Sequence, residues 1–180
     1  PQLAQGVIIS EVQIKGNEFV EIYNASNTPA TTTGWYLAYF SSNRDWNEPY
    51  RKIEFPSVSI LPKKHFLIGL KNYSATNSYP TADWIVSSIP LSDKAGAIGI
   101  FSQDPSQLAT SSEALNYKID LLSWNEPQNP TGPLVKETIS ALVPSENQSL
   151  TRKQWQGSYI DTDNNSVDFE ISQPNPINSK

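Results

Sequence analysis

Glu18-Phe-Val-Glu-Ile-Tyr-Asn24 carries the clearest strand pattern in the chain. Phe19, Val20, Ile22 and Tyr23 are β-branched, aliphatic or aromatic, and the polar residues sit at Glu18, Glu21 and Asn24. That is strand chemistry. Val20 and Ile22 fall on one face, and Phe19 and Tyr23 on the other. With apolar groups on both faces, the strand is expected in the middle of a sheet, covered on both sides. Asn24 opens a polar run to Thr33 that ends it.

Just upstream, Val7-Ile-Ile-Ser-Glu-Val-Gln-Ile14 reads as a strand with Ile8, Val12 and Ile14 on one face. Lys15-Gly16-Asn17 is a turn, so Ile14 pairs with Glu18 and Val12 lies opposite Val20. This register sets Glu11 against Glu21. Like charges directly across a ladder are unfavourable, so either the register differs or a cation sits between them. Downstream, further strands are predicted over 34–40, 50–55, 65–70, 83–86, 97–101 and 117–124. A last strand begins at Ser149. The glycine within Ala97-Ile-Gly-Ile-Phe101 implies a close backbone approach or a bulge. Asp104-Pro105 resembles a helix cap followed by proline at the first helical position, within a stretch that is otherwise least strand-like. Pro127, Pro130, Pro133 and Pro144 make the following stretch a loop, with at most a short element between Leu134 and Leu142. Short strands separated by turns, with no helical period of useful length, indicate an all-β antiparallel sandwich with long loops.

Composition narrows the function classes. The chain has 180 residues, 17% of them charged, with 14 Pro against 8 Gly, and a net charge of −5. A net acidic chain is a poor counterion-displacing surface, which argues against sequence-independent nucleic-acid binding. The same charge argues against an anionic membrane surface. With no cysteine, thiol nucleophiles, disulfides and zinc–thiolate sites are out. No apolar stretch approaches the ~20 residues of a membrane-spanning helix. Pro1 to Gly6, without an initiating Met, reads as the start of a piece excised from a larger protein.

Several stretches together resemble the lamin tail domain. They are Val7–Val12 as entry strand, Glu18-Phe-Val-Glu-Ile-Tyr-Asn24 as signature strand, Gly34-Trp-Tyr-Leu37, and Leu61-Pro62 before an apolar strand. Ile119-Asp-Leu-Leu122, Ser149-Leu-Thr-Arg152, Asp161–Phe169 and Pro176–Asn178 follow in the same order. The pattern looks like the bacterial branch and covers residues 1–180 as a single domain. Residues 103–116 and 125–147 fit it poorly and read as loop insertions. The resemblance implies an immunoglobulin-like β-sandwich that acts as a non-catalytic binding or attachment module of a secreted or cell-surface protein. Its partner would be an unidentified protein or polysaccharide, and the chain is expected to be a monomer and not an enzyme.

Candidate site residues are few. Asp161, Asp163, Asn165 and Asp168 match the opening ligand spacing of a calcium loop. Ser166 stands where the EF-hand needs glycine, and no Glu occupies the twelfth position. The alternative is an Asx-rich turn whose side chains cap backbone N–H groups. Arg152 could neutralise Glu11 and Glu21 as a bidentate guanidinium, or could be an ordinary solvated cation. Trp46, in a polar loop with Tyr50 nearby, is the tryptophan expected at the surface, where exposed aromatics would make a carbohydrate-binding module. The alternative folds it back over the core rim. His65 is the only histidine, which leaves no nucleophile–base pair to build on.

Overall fold

The computed structural model describes residues 1–180. Its strands, in chain order, are β1 (Val7–Gln13), β2 (Phe19–Asn24), β3 (Ala30–Thr31), β4 (Tyr36–Ser41), β5 (Arg51–Glu54), β6 (Ser59–Ile60), β7 (His65–Gly69) and β8 (Trp84–Ile85). They continue with β9 (Ala95–Phe101), β10 (Lys118–Asn125), β11 (Ala141–Leu142), β12 (Ser149–Arg152), β13 (Gln154–Trp155), β14 (Ser158–Tyr159) and β15 (Phe169–Ser172). Two helices, α1 (Ser111–Tyr117) and α2 (Asn165–Asp168), complete the set with a single 3-10 turn at Pro105–Gln107.

Two sheets face each other. One has the order β15-β12-β1-β2-β7-β8, the other β11-β10-β9-β4-β5. The signature strand β2 is central in the first sheet, between β1 and β7. Its expected register holds, with Val12 opposite Val20 and Glu11 opposite Glu21. The main core lies between the sheets. Val12, Val20, Ile22, Ile68 and Leu150 come from the first sheet, and Leu37, Ile98, Ile100, Leu122 and Trp124 from the second. All pairings are antiparallel except at the two-residue edge strands β8 and β11, which run parallel to β7 and β10.

One correction concerns β1. A bulge falls between Ile9 and Glu11, and one extra residue reverses the strand's parity. Val7 and Ile9 therefore face the core with Val12 and Ile14, and Ile8 is buried on the other side. Gly99 meets its expectation of a close approach: a Cβ there would lie 2.7 Å from Leu121 Cδ1.

The two poorly fitting stretches are structured. The turn at Pro105 has Asp104 as cap, its side chain accepting from the Ser106 N–H. A further helix, α1, follows. Thr110 accepts from the Glu113 N–H, and Glu113 accepts in turn from the Ala109 N–H. This is a variant of the capping box, legible as Thr-x-x-Glu. Leu108, Ala114 and Val135 then form a second buried cluster with Ala38, Phe40, Trp46, Ala97, Phe101 and Leu121. These loops cover the outer face of the second sheet. Beyond Ser149 the chain also forms the β13–β14 hairpin and the edge strand β15, so Ser149–Arg152 is not the last strand.

Candidate functional site

The strongest concentration of chemistry is a buried charge cluster between the sheets. Arg152 sits on β12 in phase with the core residue Leu150, so alternation turns it inward. Its side chain is fully buried. Nη2 donates to Asp120 at 2.6 Å, Nη1 to Asp161 at 3.1 Å and to the Ile160 carbonyl at 3.1 Å, and Nε to the Ile9 carbonyl at 2.7 Å. Asp168 lies 3.7 Å away, and the guanidinium stacks 4.5 Å over the Phe169 ring. Asp120 lies on β10, in phase with the inward-facing Leu122 and Trp124. The ion pair therefore joins one sheet to the other.

The bulge in β1 explains the geometry. The Ile9 N–H donates to Asp120 at 2.5 Å while the Ile9 carbonyl accepts from Arg152. The pair satisfies backbone groups that would otherwise be buried without partners. Burial pushes the Asp120 carboxyl up, against the pull of Arg152. Asp120 also accepts from the Leu121 N–H at 2.9 Å, and a group serving three donors is the carboxylate. Burial likewise disfavours the Arg152 charge, but Asp120, Asp161, Glu137 and Asp168 raise its pKa.

A second group adjoins the first. Lys118 donates to Glu137 at 2.5 Å and to Asp163 at 2.6 Å. Burial and then the Asp120 charge push Glu137 up to about 8, with Lys118 opposing. Burial disfavours the Lys118 charge, yet Glu137 and Asp163 raise its pKa. Donors at both Glu137 oxygens, Lys118 and the Asn165 amide at 2.7 Å, favour the carboxylate.

The Asp161–Asp168 stretch is used up within these contacts. Asp161 meets Arg152, and Asp163 meets Lys118. Asn165 accepts from the Ser123 N–H and donates to the Leu121 carbonyl, pinning α2 to β10. Asp168 accepts from the Thr162 N–H and hydroxyl. The four side chains do not gather around one point as calcium ligands must, and no such cluster of acidic or histidine side chains exists in the fold. Capping and ion pairing account for the contacts that these four side chains make.

Arg152 does not bridge Glu11 and Glu21. Those carboxyls lie on the outer face of the first sheet, because Val12, Val20 and Ile22 take the inner one. The inward-facing Arg152 is on the opposite side. No cation separates the two. Instead Glu11 accepts from Ser149 at 2.5 Å and from the Asn175 N–H at 3.1 Å. Glu21 contacts Ser10 at 2.5 Å and accepts from the Ile177 N–H at 2.6 Å. Burial, with a smaller contribution from Glu11, pushes Glu21 up to about 8. Burial favours the neutral form of Glu21, which eases its like-charge conflict with Glu11. The C-terminal strap 173–180 crosses this face and covers both groups. His65 lies 3.6 Å from Glu21 and 3.2 Å from the Tyr159 hydroxyl, and burial lowers its pKa, so it stays neutral.

Trp46 is a further correction. It keeps only 6% exposure and packs on Phe40 and Phe101. The insertions that cover the second sheet draw it inward. Tyr50 is exposed, stacks with Arg51, and meets the buried Tyr39 edge-on. The two residues make no flat aromatic platform. The tryptophan that does stand open is Trp155, in the β13–β14 hairpin.

Sequence reasoning did not single out Asp120, Lys118 or Glu137. The available signal was Asp120 itself, a carboxylate at an inward position of an otherwise apolar strand.

The lamin tail domain family matches residues 1–132. The chain belongs to the lamin tail domain family. The immunoglobulin-like sandwich expected from the sequence is the fold observed. No curated protein matches the chain. Among solved structures, this lamin tail domain is similar to the crystal structure of a DUF4876 family protein from Bacteroides thetaiotaomicron, with a TM-score of 0.66 and 17% identity. The match covers 96% of this chain and 72% of the other. At that identity the likeness concerns the fold. The buried cluster spans the limit of the family match: Lys118 and Asp120 lie within it, and Glu137, Arg152 and Asp161 to Asp168 beyond it.

Proposed function

We propose that this lamin tail domain is a non-catalytic binding or attachment module of a secreted or cell-surface protein, with a protein or polysaccharide partner. The observation that supports this reading is where the charged chemistry is spent. The carboxylates and cations of the central cluster bind one another and the backbone, joining sheet to sheet. The single histidine sits on the opposite face, against Glu21. A reacting centre needs a nucleophile, a base and room for substrate at one place. The partner surface then falls to loops and strand edges, where immunoglobulin-like sandwiches offer contact area.

The test applies the purified module to cell-envelope fractions and insoluble polysaccharides, beside assays with chromogenic ester, phosphoester and glycoside substrates. Saturable retention without turnover is expected. Turnover above buffer that survives repurification would refute the reading.

A further inference from the structure

Glu18 immediately precedes β2 and is buried at 5% exposure. Its Oε2 has no hydrogen-bond partner. The side chain lines a cavity of 340 Å³ whose buried apolar floor is Ile14 and Leu91. Asp93 and Glu146, both exposed, stand at the mouth with Ser92 and Lys15. None of Glu18, Asp93, Glu146 or Lys15 takes part in an ion pair.

We propose that this pocket receives a basic side chain, arginine or lysine, from a protein partner. The claim rests on the reading of the chain as a binding module and names a contact for it. Oε2 is closed off from solvent, so a guest in the cavity meets the carboxylate at Oε1, and a cation bearing N–H groups there offsets the cost of the buried charge. Ile14 and Leu91 suit the aliphatic stem that both basic side chains carry. Asp93 and Glu146 favour the approach of positive charge, as does the net charge of −5. A divalent metal fits less well, because the three carboxylates do not gather within coordinating reach of one another. Burial raises the Glu18 pKa, and the Leu91 N–H, the Asn72 amide and backbone N–H, and Lys71 oppose that rise. None of these gives Oε2 a partner.

The test titrates the isotope-labelled chain with N-acetyl-arginine amide, N-acetyl-lysine amide and calcium in parallel, reading backbone amide shifts. Saturable shifts with either amino-acid amide, centred on Gly16, Glu18, Ser92 and Asp93, are expected. The stronger of the two identifies the side chain. Glu18→Gln should weaken binding about ten- to hundredfold, the loss of one charge-assisted hydrogen bond. It should melt no lower than the wild type, since it removes an unpaired buried charge. Equal binding by Glu18→Gln, a response to calcium alone, no saturable response, or a lower melting temperature of the variant overturns the proposal. Retention of the module on an envelope or polysaccharide fraction, unchanged in Glu18→Gln, also overturns the pocket while leaving the module reading intact.

Discussion

Replacing Arg152 by Met tests whether the buried cluster holds the two sheets together. Met fills much of the space of the aliphatic stem and removes the guanidinium. Asp120 is left as a carboxylate at 2% side-chain exposure, still accepting from the Ile9 and Leu121 N–H groups but with no counter-charge at 2.6 Å. The Ile9 and Ile160 carbonyls each lose a donor. Breaking a buried pair from one side costs about 3–5 kcal/mol. That is a large share of the ~5–15 kcal/mol that holds a domain folded. For a chain of this size it corresponds to a fall in melting temperature of roughly 6–20 °C. Scanning calorimetry or urea unfolding reads it directly. Combining Arg152→Met with Asp120→Leu should recover part of the loss, because Asp120 is then no longer a buried carboxylate without its partner, although Asp161 and the buried Asp168 still lose their cation. Recovery should be incomplete, because the Ile9 carbonyl still lacks its donor and the Ile9 N–H now loses its acceptor as well. A fall under about 3 °C, the scale of an exposed ion pair, would refute the reasoning. So would a double variant no better than the single.

The pH dependence follows from Glu21. Its folded pKa, about 8, lies above the model value of 4.5. The folded state therefore holds a proton that the unfolded chain releases. The resulting stabilisation is complete below about pH 4.5 and is lost as pH rises to about 8, by about 5 kcal/mol at most. Glu21→Gln should flatten that slope in urea unfolding at several pH values; an unchanged slope would count against protonation at Glu21. Trp46→Ala should cost about 3–5 kcal/mol as a core truncation and leave any saccharide retention unchanged, whereas a fully stable variant with lost retention would restore Trp46 as a contact. Chelator should not move the melting temperature, because the Asp161–Asp168 side chains already have protein partners; a drop would reveal a bound metal, since a ligand of the folded state must stabilise it.

Much of the architecture could be read from short-range pattern alone. Period two in Glu18–Asn24, the turn at Lys15–Asn17 and the apolar runs at 65–70 and 97–101 place strands and register, because alternation and turn chemistry are local. The Glu11–Glu21 conflict was legible for the same reason. Its resolution was not. One bulged residue in β1 changes which groups face inward, and bulges leave little trace in a residue pattern.

The sandwich, its central strand and the absence of cysteine chemistry are all legible in the residue order, since these depend on neighbours along the chain or on composition. The pairing of the buried polar groups emerges only when the sheets pack in three dimensions. Arg152 meets Asp120, 32 residues away, and Ile9, 143 residues away, because two sheets fold onto one another and a bulge leaves a gap for the pair. Trp46 is buried rather than displayed because insertions distant from it in the chain, at 103–116 and 125–147, close over the same sheet face. Contacts of that separation are set by which surfaces pack together, and no local periodicity records them.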